Sequence, residues 1–225
     1  MKLVFASNNA HKLSEVRAMM PEGIEVLSLK DIGFEAEIEE TGETLEENSL
    51  IKAQTVWDWI VESRKSKVES INGVFADDTG LEIDALNGEP GVYTARWYRR
   101  EPTLTLHKGK EMTDEMLNFH CNRAKALREL EGKENRGCQF RTVITLLMNG
   151  DATLNGGMIQ IEGVVRGRIA EEEYGEGGFG YDPVFIPEGY DKTFGELPAE
   201  LKNHISHRAR AIQELVKVLN DRMMD

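Results

Sequence analysis

A chain of 225 residues, of which 40% are hydrophobic and 30% charged, is long enough to bury a core and has the composition of a globular protein. Its formal net charge of -13 excludes nucleic acid polymers as expected partners, because such polymers are bound through basic surfaces. The sequence contains no apolar run of about 18 residues, so it predicts no membrane-spanning helix. Its N-terminal segment has too few apolar residues for a signal peptide. We therefore expect a cytoplasmic protein without a membrane partner, in which Cys121 and Cys138 are reduced.

Strands and helices alternate in the first part of the chain. The apolar pattern predicts a strand, a helix and a second strand, at residues 2–7, 11–20 and 24–29. Thr44 and Glu47 have the spacing of a capping box, which predicts a helix from this point to about residue 64. This order of elements is typical of an α/β fold.

The second part of the chain adds antiparallel strands. Short strands are predicted at residues 73–76 and 81–83, on either side of an acidic turn, and a helix from Thr113 to about Gly132. Asn149-Gly150-Asp151 predicts a hairpin, which makes the sheet mixed. Ser206 is positioned to cap a last helix, whose apolar stripe is formed by Ile212, Leu215, Val216 and Leu219. Because no linker or repeat interrupts the sequence, we expect a single domain.

Two adjacent carboxylates, Asp77 and Asp78, follow an apolar run and precede Thr79 and Gly80. Asp and Gly are also favoured in turns for backbone reasons alone, so by itself this segment is most simply a turn. Successive side chains of a strand point to opposite faces. One carboxylate could therefore enter a cleft and hold a hard cation, while the other orients its neighbours.

Phosphate chemistry is suggested by two further segments. Residues 7–12 end a predicted strand in small polar side chains and place Lys12 in the first turn of a helix, where free backbone N–H groups suit a phosphate. Asn9 could instead be a simple helix cap and Lys12 a solvated charge. Glu40 precedes the next predicted helix, on which Asn48 and Lys52 share one face, although such a face is more often merely solvated.

Recognition of a flat base is suggested by residues 178–183, a glycine-rich loop that carries Phe179, Tyr181 and an acid before a predicted strand. Residues 202–208 place cationic or ionisable side chains around the start of the final helix. Because cations are unfavourable at that end of a helix, an anion or a carbonyl group of a ligand would explain them. The alternative is a basic patch that is balanced by Glu196 and Glu200.

Five ordered motifs together resemble the inosine triphosphate pyrophosphatase family, the noncanonical purine NTP pyrophosphatases. They are Ser-x-Asn-x-x-Lys at 7–12, Glu-Thr-Gly-x-Thr-x-x-x-Asn at 40–48 with Lys52, Ala-Asp-Asp-Thr-Gly-Leu at 76–81, Gly-Phe-Gly-Tyr-Asp-Pro at 178–183 and Ser-His-Arg at 206–208. The resemblance spans residues 2 to about 219. It implies two lobes around a long twisted mixed sheet flanked by helices, an active-site cleft between the lobes, a homodimer, and Mg²⁺-dependent hydrolysis of ITP, dITP and XTP to the monophosphate and pyrophosphate.

The resemblance also implies roles for individual residues. Asp78 corresponds to the catalytic base and a metal ligand, and Glu40 to the other metal ligand. The positions that correspond to triphosphate contacts are Ser7, Asn9, Lys12 and Lys52, with Thr79 beside them. Phe179 and Asp182 correspond to residues that pack on and hydrogen-bond the base, and Lys202, His207 and Arg208 complete the base pocket. The remaining positions expected to bind substrate are Asn8, Ala10, His11, Asp77, Gly180 and Tyr181.

The chemistry of these residue types agrees with those roles. Mg²⁺ prefers oxygen ligands and keeps several waters, so the two carboxylates Glu40 and Asp78 suffice. Lys12 and Lys52 could neutralise the leaving pyrophosphate. Lys202 and Arg208 can only donate hydrogen bonds, which suits the 6-keto oxygen of hypoxanthine or xanthine and opposes the 6-amino group of adenine.

Three alternatives remain. A phosphatase with an aspartyl nucleophile could use Asp77, but its motif requires Asp-x-Asp and residue 79 is Thr. A catalytically silent nucleotide sensor would lack the metal-binding carboxylates, and both are present. A related pyrophosphatase family that acts on pyrimidine or methylated nucleotides is the nearest alternative, and only a panel of substrates distinguishes it.

Overall fold

The computed structural model describes residues 1–63, 70–100, 113–148, 157–176 and 178–224. Within these ranges the chain forms seven strands and six α-helices. They are β1 (Lys2–Phe5), α1 (Ala10–Met19), β2 (Glu25–Leu27), α2 (Leu29–Ile32), α3 (Leu45–Ser63), β3 (Gly73–Ile83), β4 (Pro90–Gly91), α4 (Asp114–Glu129), β5 (Gly137–Met148), β6 (Met158–Ile169), β7 (Phe185–Pro187), α5 (Ala199–Ile205) and α6 (His207–Met224).

The strands form a mixed sheet in the order β2-β1-β3-β5-β6-β7, with β4 paired to β3 off this path. Strand β1 runs parallel to both β2 and β3. Strand β4 runs antiparallel to β3, and β7 antiparallel to β6. The predicted α/β fold with a mixed sheet is confirmed.

The chain divides into two compact units. Unit 1 consists of Met1–Asp78, Thr142–Gly163 and Arg208–Asp225. Along its strand β1, Leu3 and Phe5 belong to one apolar cluster, which includes Ile212 and Leu215 of α6, whereas Val4 belongs to another cluster. That second cluster includes residues of α3, so helices cover both faces of the sheet in unit 1.

Strand β3 shows the same alternation in unit 1. Phe75 lies in the cluster with α6, whereas Val74 and Ala76 lie in the cluster with α3. Because strand side chains alternate between faces, Asp77 continues the row of Phe75 and Asp78 continues the row of Ala76. The pleat of β3 thus assigns the two carboxylates to different helices.

Unit 2 consists of Thr79–Arg141 and Val164–His207. Its core joins residues of β3 and α4 with aromatic side chains that follow the glycine-rich loop. Trp97, Leu130 and Phe185 are among its fully buried members. Helix α4 begins at a cap in which the side chain of Thr113 accepts a hydrogen bond from the backbone N–H of Met116, as its sequence predicts.

The acidic turn predicted at residues 77–80 is wrong. A single strand, Gly73–Ile83, runs through these residues. Its first residues pair with β1, and Leu81 and Glu82 pair with β4, so partner strands hold both ends in an extended conformation. The Asp-Asp-Thr-Gly composition favours a turn locally, but strand pairing and burial outweigh that preference.

Most other predicted elements are confirmed. Thr44 and Glu47 form the capping box of α3: the Thr44 hydroxyl accepts from the Glu47 N–H at 3.1 Å, and the Glu47 carboxylate accepts from the Thr44 N–H at 3.2 Å. Helix α5 is an element that sequence reasoning missed. The hairpin predicted at Asn149-Gly150-Asp151 lies outside the described residues.

Two smaller expectations concern the cysteines and membranes. Cys121 and Cys138 are both free and buried, as expected. Burial raises the pKa of the Cys138 thiol. Among the described helices, none combines the length and the apolar character that a membrane crossing requires.

Candidate active site

Asp77 lies at the centre of a row of alternating charges in unit 1. The Lys12 ammonium donates to its Oδ1 at 2.9 Å, and Nε of Arg208 donates to its Oδ2 at 3.1 Å. Nη1 of Arg208 in turn donates to the carboxylate of Glu15. Lys12 and Glu15 belong to α1 and Arg208 to the first turn of α6, the helices on the face that Asp77 shares with Phe75.

The cations of this row favour the charged form of the Asp77 carboxylate. Burial alone would raise the pKa of Asp77, but the cations of Lys12 and Arg208 outweigh it, and the pKa of Asp77 lies well below its usual value. Burial lowers the pKa of Lys12, although Asp77 acts in the opposite direction. Both oxygens of Asp77 are therefore occupied by cations.

Asp78 binds a different lysine on the other face of β3. The Lys52 ammonium donates to Asp78 Oδ1 and to Glu40 Oε1, each at 2.8 Å. Burial raises the pKa of Asp78, because one ammonium shared by two carboxylates does not outweigh it. Burial acts against the charge of Lys52, yet Asp78 and Glu40 together raise its pKa. Two adjacent aspartates thus have pKa values moved in opposite directions.

The segment that carries Glu40 is fixed by Asn48 of α3. The backbone N–H of Gly42 donates to Asn48 Oδ1 at 2.8 Å. A Cβ atom on Gly42 would lie 2.6 Å from Glu47 Cβ and 2.8 Å from Asn48 Oδ1, so no larger residue fits here. Asn48 and Lys52 lie one turn apart on α3. Asn48 therefore holds the segment at Gly42, and Lys52 holds the carboxylate of Glu40.

The N-terminus of α1 is capped by a side chain of the segment that precedes it. Asn9 Oδ1 accepts from the Lys12 backbone N–H at 3.0 Å, and Ser7 Oγ accepts from the Asn9 N–H at 3.2 Å. Asn9 is thus the helix cap that the sequence offered as an alternative, while Lys12 is bound to Asp77 and is not a solvated charge. Three further residues of this segment are exposed: Asn8, Ala10 and His11.

The glycine-rich loop of unit 2 is held by the carboxylate of Asp182. Asp182 Oδ2 accepts from the Phe179 backbone N–H at 2.5 Å and from the Lys202 ammonium at 2.6 Å. Gly178 and Gly180 both have positive φ, +89° and +62°. A Cβ atom on Gly178 would lie 2.3 Å from Asp182 Oδ2, so the loop requires glycine there. Lys202 is thus balanced by Asp182.

Helix α4 contacts this loop through two residues that sequence reasoning missed. The Phe119 and Phe179 rings meet edge to face, with centroids 4.5 Å apart and an interplanar angle of 71°. Nη1 of Arg123 donates to the Gly180 carbonyl at 2.8 Å, and its Nε forms an ion pair with Glu173 at 3.0 Å. Their i, i+4 spacing places both on one face of α4 but does not indicate what that face contacts.

Two predicted base-pocket residues are core residues of unit 2. Tyr181 is buried, and its hydroxyl donates to the Thr94 carbonyl at 3.2 Å. The prediction that the loop presents both of its aromatic rings is therefore wrong for Tyr181. His207 is buried and stacks on Phe140, with centroids 4.7 Å apart. Thr79 follows Asp78 on β3 and is half-buried.

A mixed sheet with helices on both faces, whose central strand presents one carboxylate to each face, defines an α/β protein with a buried charged site. The model of the Ham1 family matches residues 3–218. The chain belongs to the Ham1 family. The resemblance seen in the five sequence motifs is therefore confirmed.

Similar proteins match over nearly the full chain. A protein of Flavobacterium johnsoniae named dITP/XTP pyrophosphatase is 45% identical over 97% of this chain and 98% of its own length. One of Bacillus subtilis with the same name is 41% identical over 96% of each chain. The solved Ham1 protein of Staphylococcus aureus is 34% identical, with a TM-score of 0.74 over 99% of this chain and 100% of that chain.

Proposed function

We propose that this protein hydrolyses the noncanonical purine nucleoside triphosphates dITP, ITP and XTP to the monophosphate and pyrophosphate. The names of its relatives support this activity. The observation that carries the proposal is the arrangement around β3, where two adjacent carboxylates each bind a lysine from a different helix. Such a site offers cations for a triphosphate and a buried carboxylate for water.

Triphosphate binding is assigned to unit 1. Lys12 and Lys52 are the cations nearest to the two aspartates, and the chain as a whole carries a net charge of -13. An anionic substrate is therefore attracted only locally, where these lysines lie. Each lysine is held by a carboxylate, so the two ammonium groups are in place before the phosphates arrive.

Mg²⁺ fits the residues that are present. Glu40 Oε1 and Asp78 Oδ1 both accept from the Lys52 ammonium at 2.8 Å, so the two carboxylates lie close together beside this lysine. Carboxylate oxygens in such a number suit Mg²⁺, which otherwise keeps water and phosphate oxygens as ligands. When bound, the ion would polarise a phosphate oxygen and lower the pKa of a bound water. Glu40 and Asp78 would hold it.

Proton transfer is assigned to Asp78. Its carboxylate can accept a proton from a water molecule, which is the general-base role that the resemblance implies. Asp77 is unsuited to this role and to that of a nucleophile, because both of its oxygens accept from cations and its pKa is lowered. This observation disfavours the aspartyl phosphatase alternative.

Selection of the base is assigned to Lys202 and Arg208, which can only donate hydrogen bonds. A buried donor that faces the 6-amino group of adenine would be left unpaired, and sites of this type discriminate by roughly 10⁴ to 10⁵. Lys202 is presented by Asp182, and Arg208 by Asp77 and Glu15. Their contact with a 6-keto oxygen is part of the proposal.

The proposed function is tested by phosphate release from dITP, ITP, XTP, GTP, ATP, dTTP and UTP, with and without added inorganic pyrophosphatase. The proposal expects release from the first three only when the helper enzyme is present. Release without the helper would identify a phosphatase, absence of release a nucleotide sensor, and a preference for dTTP or UTP a pyrimidine pyrophosphatase. Omission of Mg²⁺ with a chelator should abolish turnover.

Assembly and location belong to the same proposal. We propose a homodimer in the cytoplasm, as the resemblance implies. Light scattering of the purified protein should give twice the chain mass of 25.4 kDa. A mass equal to one chain would contradict the dimer without affecting the proposed reaction.

A further inference from the structure

Phe179 occupies an unusual backbone position. It stands between Gly178 and Gly180, both with positive φ. Glycines of this kind give a loop more conformational freedom than any other residue. The Asp182 carboxylate holds the backbone N–H of Phe179, but this bond does not fix the plane of its ring. The plane of the Phe179 ring must therefore be fixed by residues outside the loop.

Helix α4 supplies that constraint at two successive residues of the loop. Phe119 contacts the Phe179 ring edge to face, a geometry that aromatic pairs prefer and that restricts rotation of either ring. Arg123, one turn later on the helix, donates to the carbonyl of Gly180 and is itself held by Glu173. One ring and one backbone atom of the loop are thus fixed by a single helix face.

We propose that Phe119 and Arg123 are positioning residues that fix the ring of Phe179 and thereby set the affinity of this protein for the purine base. The inference rests on the proposed function and on the resemblance, which implies that Phe179 binds the base. Phe119 and Arg123 contact the loop of unit 2, whereas triphosphate binding is assigned to unit 1. Their loss should therefore weaken binding of a nucleoside monophosphate and leave binding of pyrophosphate unchanged.

The test compares Phe119→Leu with Met116→Ala by titration calorimetry of dIMP and of pyrophosphate. Leucine keeps an apolar side chain but removes the ring, whereas Met116 lies on the same helix and is 54% exposed. Loss of an aromatic pair should weaken dIMP binding by about twofold to tenfold. Pyrophosphate binding should not change, and Met116→Ala should match the wild type for both ligands.

Two further variants separate positioning from a general structural role. Phe119→Tyr keeps the ring and should restore dIMP affinity, and Arg123→Gln should weaken dIMP binding in the same direction as Phe119→Leu. The inference is overturned if Phe119→Leu binds dIMP as tightly as the wild type, if it weakens dIMP and pyrophosphate equally, or if Phe119→Tyr fails to rescue. Thermal melting of each variant shows whether it remains folded.

The outcome is distinguishable from failure of the proposed function. A wild-type protein that binds dIMP but does not hydrolyse dITP contradicts the proposed reaction, while the comparison of variants still decides the inference. A wild-type protein that hydrolyses dITP, with a Phe119→Leu variant of unchanged dIMP affinity, supports the reaction and contradicts the inference. A wild-type protein that hydrolyses dITP but does not bind dIMP also supports the reaction and contradicts the inference.

Discussion

The candidate site residues of unit 1 and those of unit 2 are held by different kinds of interaction. In unit 1, Asp77 and Asp78 are 2% and 7% exposed and bind cations from three helices. In unit 2, the glycine-rich loop is held by the ion pair of Asp182 with Lys202, by the ring of Phe119 and by a hydrogen bond from Arg123. The candidate residues of unit 1 therefore suit a charged group of a ligand, and those of unit 2 suit a flat apolar group.

The comparison also separates function from stability. Buried ion pairs lose solvation, and replacing them with apolar side chains is often neutral or stabilising. The charges around β3 are therefore weak evidence for stability and better explained by ligand chemistry. The aromatic residues of unit 2 are stabilising in themselves, since apolar burial contributes roughly 25 cal/mol per Å². Removing one partner of a buried pair leaves the other charge uncompensated and is destabilising, so the kinetics of each variant below are compared with its thermal melting.

The largest effect is expected for Asp78→Asn. An amide keeps the size of the side chain but cannot accept a proton and is a poor ligand for Mg²⁺. The kcat for ITP should fall by at least about 10² to 10⁴, while the circular dichroism spectrum and much of the nucleotide affinity persist. More than about a tenth of wild-type turnover would contradict the role of Asp78 as general base.

Lys52→Ala should lower kcat/KM for dITP and ITP alike. A charge-assisted contact contributes about 1.5 to 3 kcal/mol, which corresponds to roughly tenfold to a hundredfold. The ratio between purine substrates should not change, because Lys52 faces the carboxylates of unit 1. Lys217→Ala is the matched control, since this lysine is 67% exposed on α6 and pairs with Glu214. Unchanged kcat/KM in Lys52→Ala would assign Lys52 to holding its carboxylates alone.

Arg208→Ala tests whether a residue of unit 1 contributes to base selection. Removing a donor to the 6-keto oxygen should lower kcat/KM for ITP by about tenfold to a hundredfold, while the low value for ATP holds or rises. Glu15→Gln keeps Arg208 and removes one of its partners, so it should change the ratio of ITP to ATP less. An equal loss for both substrates would show that Arg208 acts on the phosphates or on the fold.

The smallest effect is expected for an exposed carboxylate of unit 1. The Asp31 carboxylate accepts hydrogen bonds from the backbone N–H of Ser28 and from the guanidinium of Arg17. The bond from the Ser28 backbone lowers the pKa of Asp31 most, and the Ser28 side chain and Arg17 lower it further. A lowered pKa stabilises the folded state above the usual value of about 4, and this stabilisation is lost as the pH falls through the lowered pKa.

For Asp31→Asn we therefore expect a loss of less than about 1 kcal/mol in the free energy of unfolding at pH 7, because the group is exposed. The difference from the wild type should vanish as the pH falls well below about 4, where the wild-type carboxyl is also neutral. Urea unfolding at both pH values measures it. A difference that grows in acid would contradict the sign of this pKa shift.

Local signals allowed much of the fold to be predicted from the sequence. The capping box at Thr44 and Glu47, the cap at Thr113 and the apolar stripe of α6 depend on spacing within a few residues. The strand through Asp77 to Gly80 could not be predicted, because its local composition favours a turn and only pairing with β1 and β4 overrides it. The predicted cleft between two lobes stays a prediction.

The candidate site was predictable where a motif carried it. Asp77, Asp78, Lys12 and Lys52 were identified from motifs, and the structure brings each aspartate together with one of these lysines. The partner of Arg208 on α1, Glu15, was missed because its role depends on contacts about 190 residues away along the chain. Phe119 and Arg123 were missed for the same reason, since nothing within α4 alone indicates the loop that they contact.

Strand β3 places two chemically identical residues in different roles by position alone. Exchanging Asp77 with Asp78 would leave the sequence unchanged, yet inserting one residue between Ala76 and Asp77 would move each carboxylate to the opposite face of the sheet. The first aspartate would then face Lys52, and the second would face Lys12 and Arg208, with both sets of distances lost. A change in length here should therefore displace both carboxylates at once, a constraint on the gene that residue identity does not reveal.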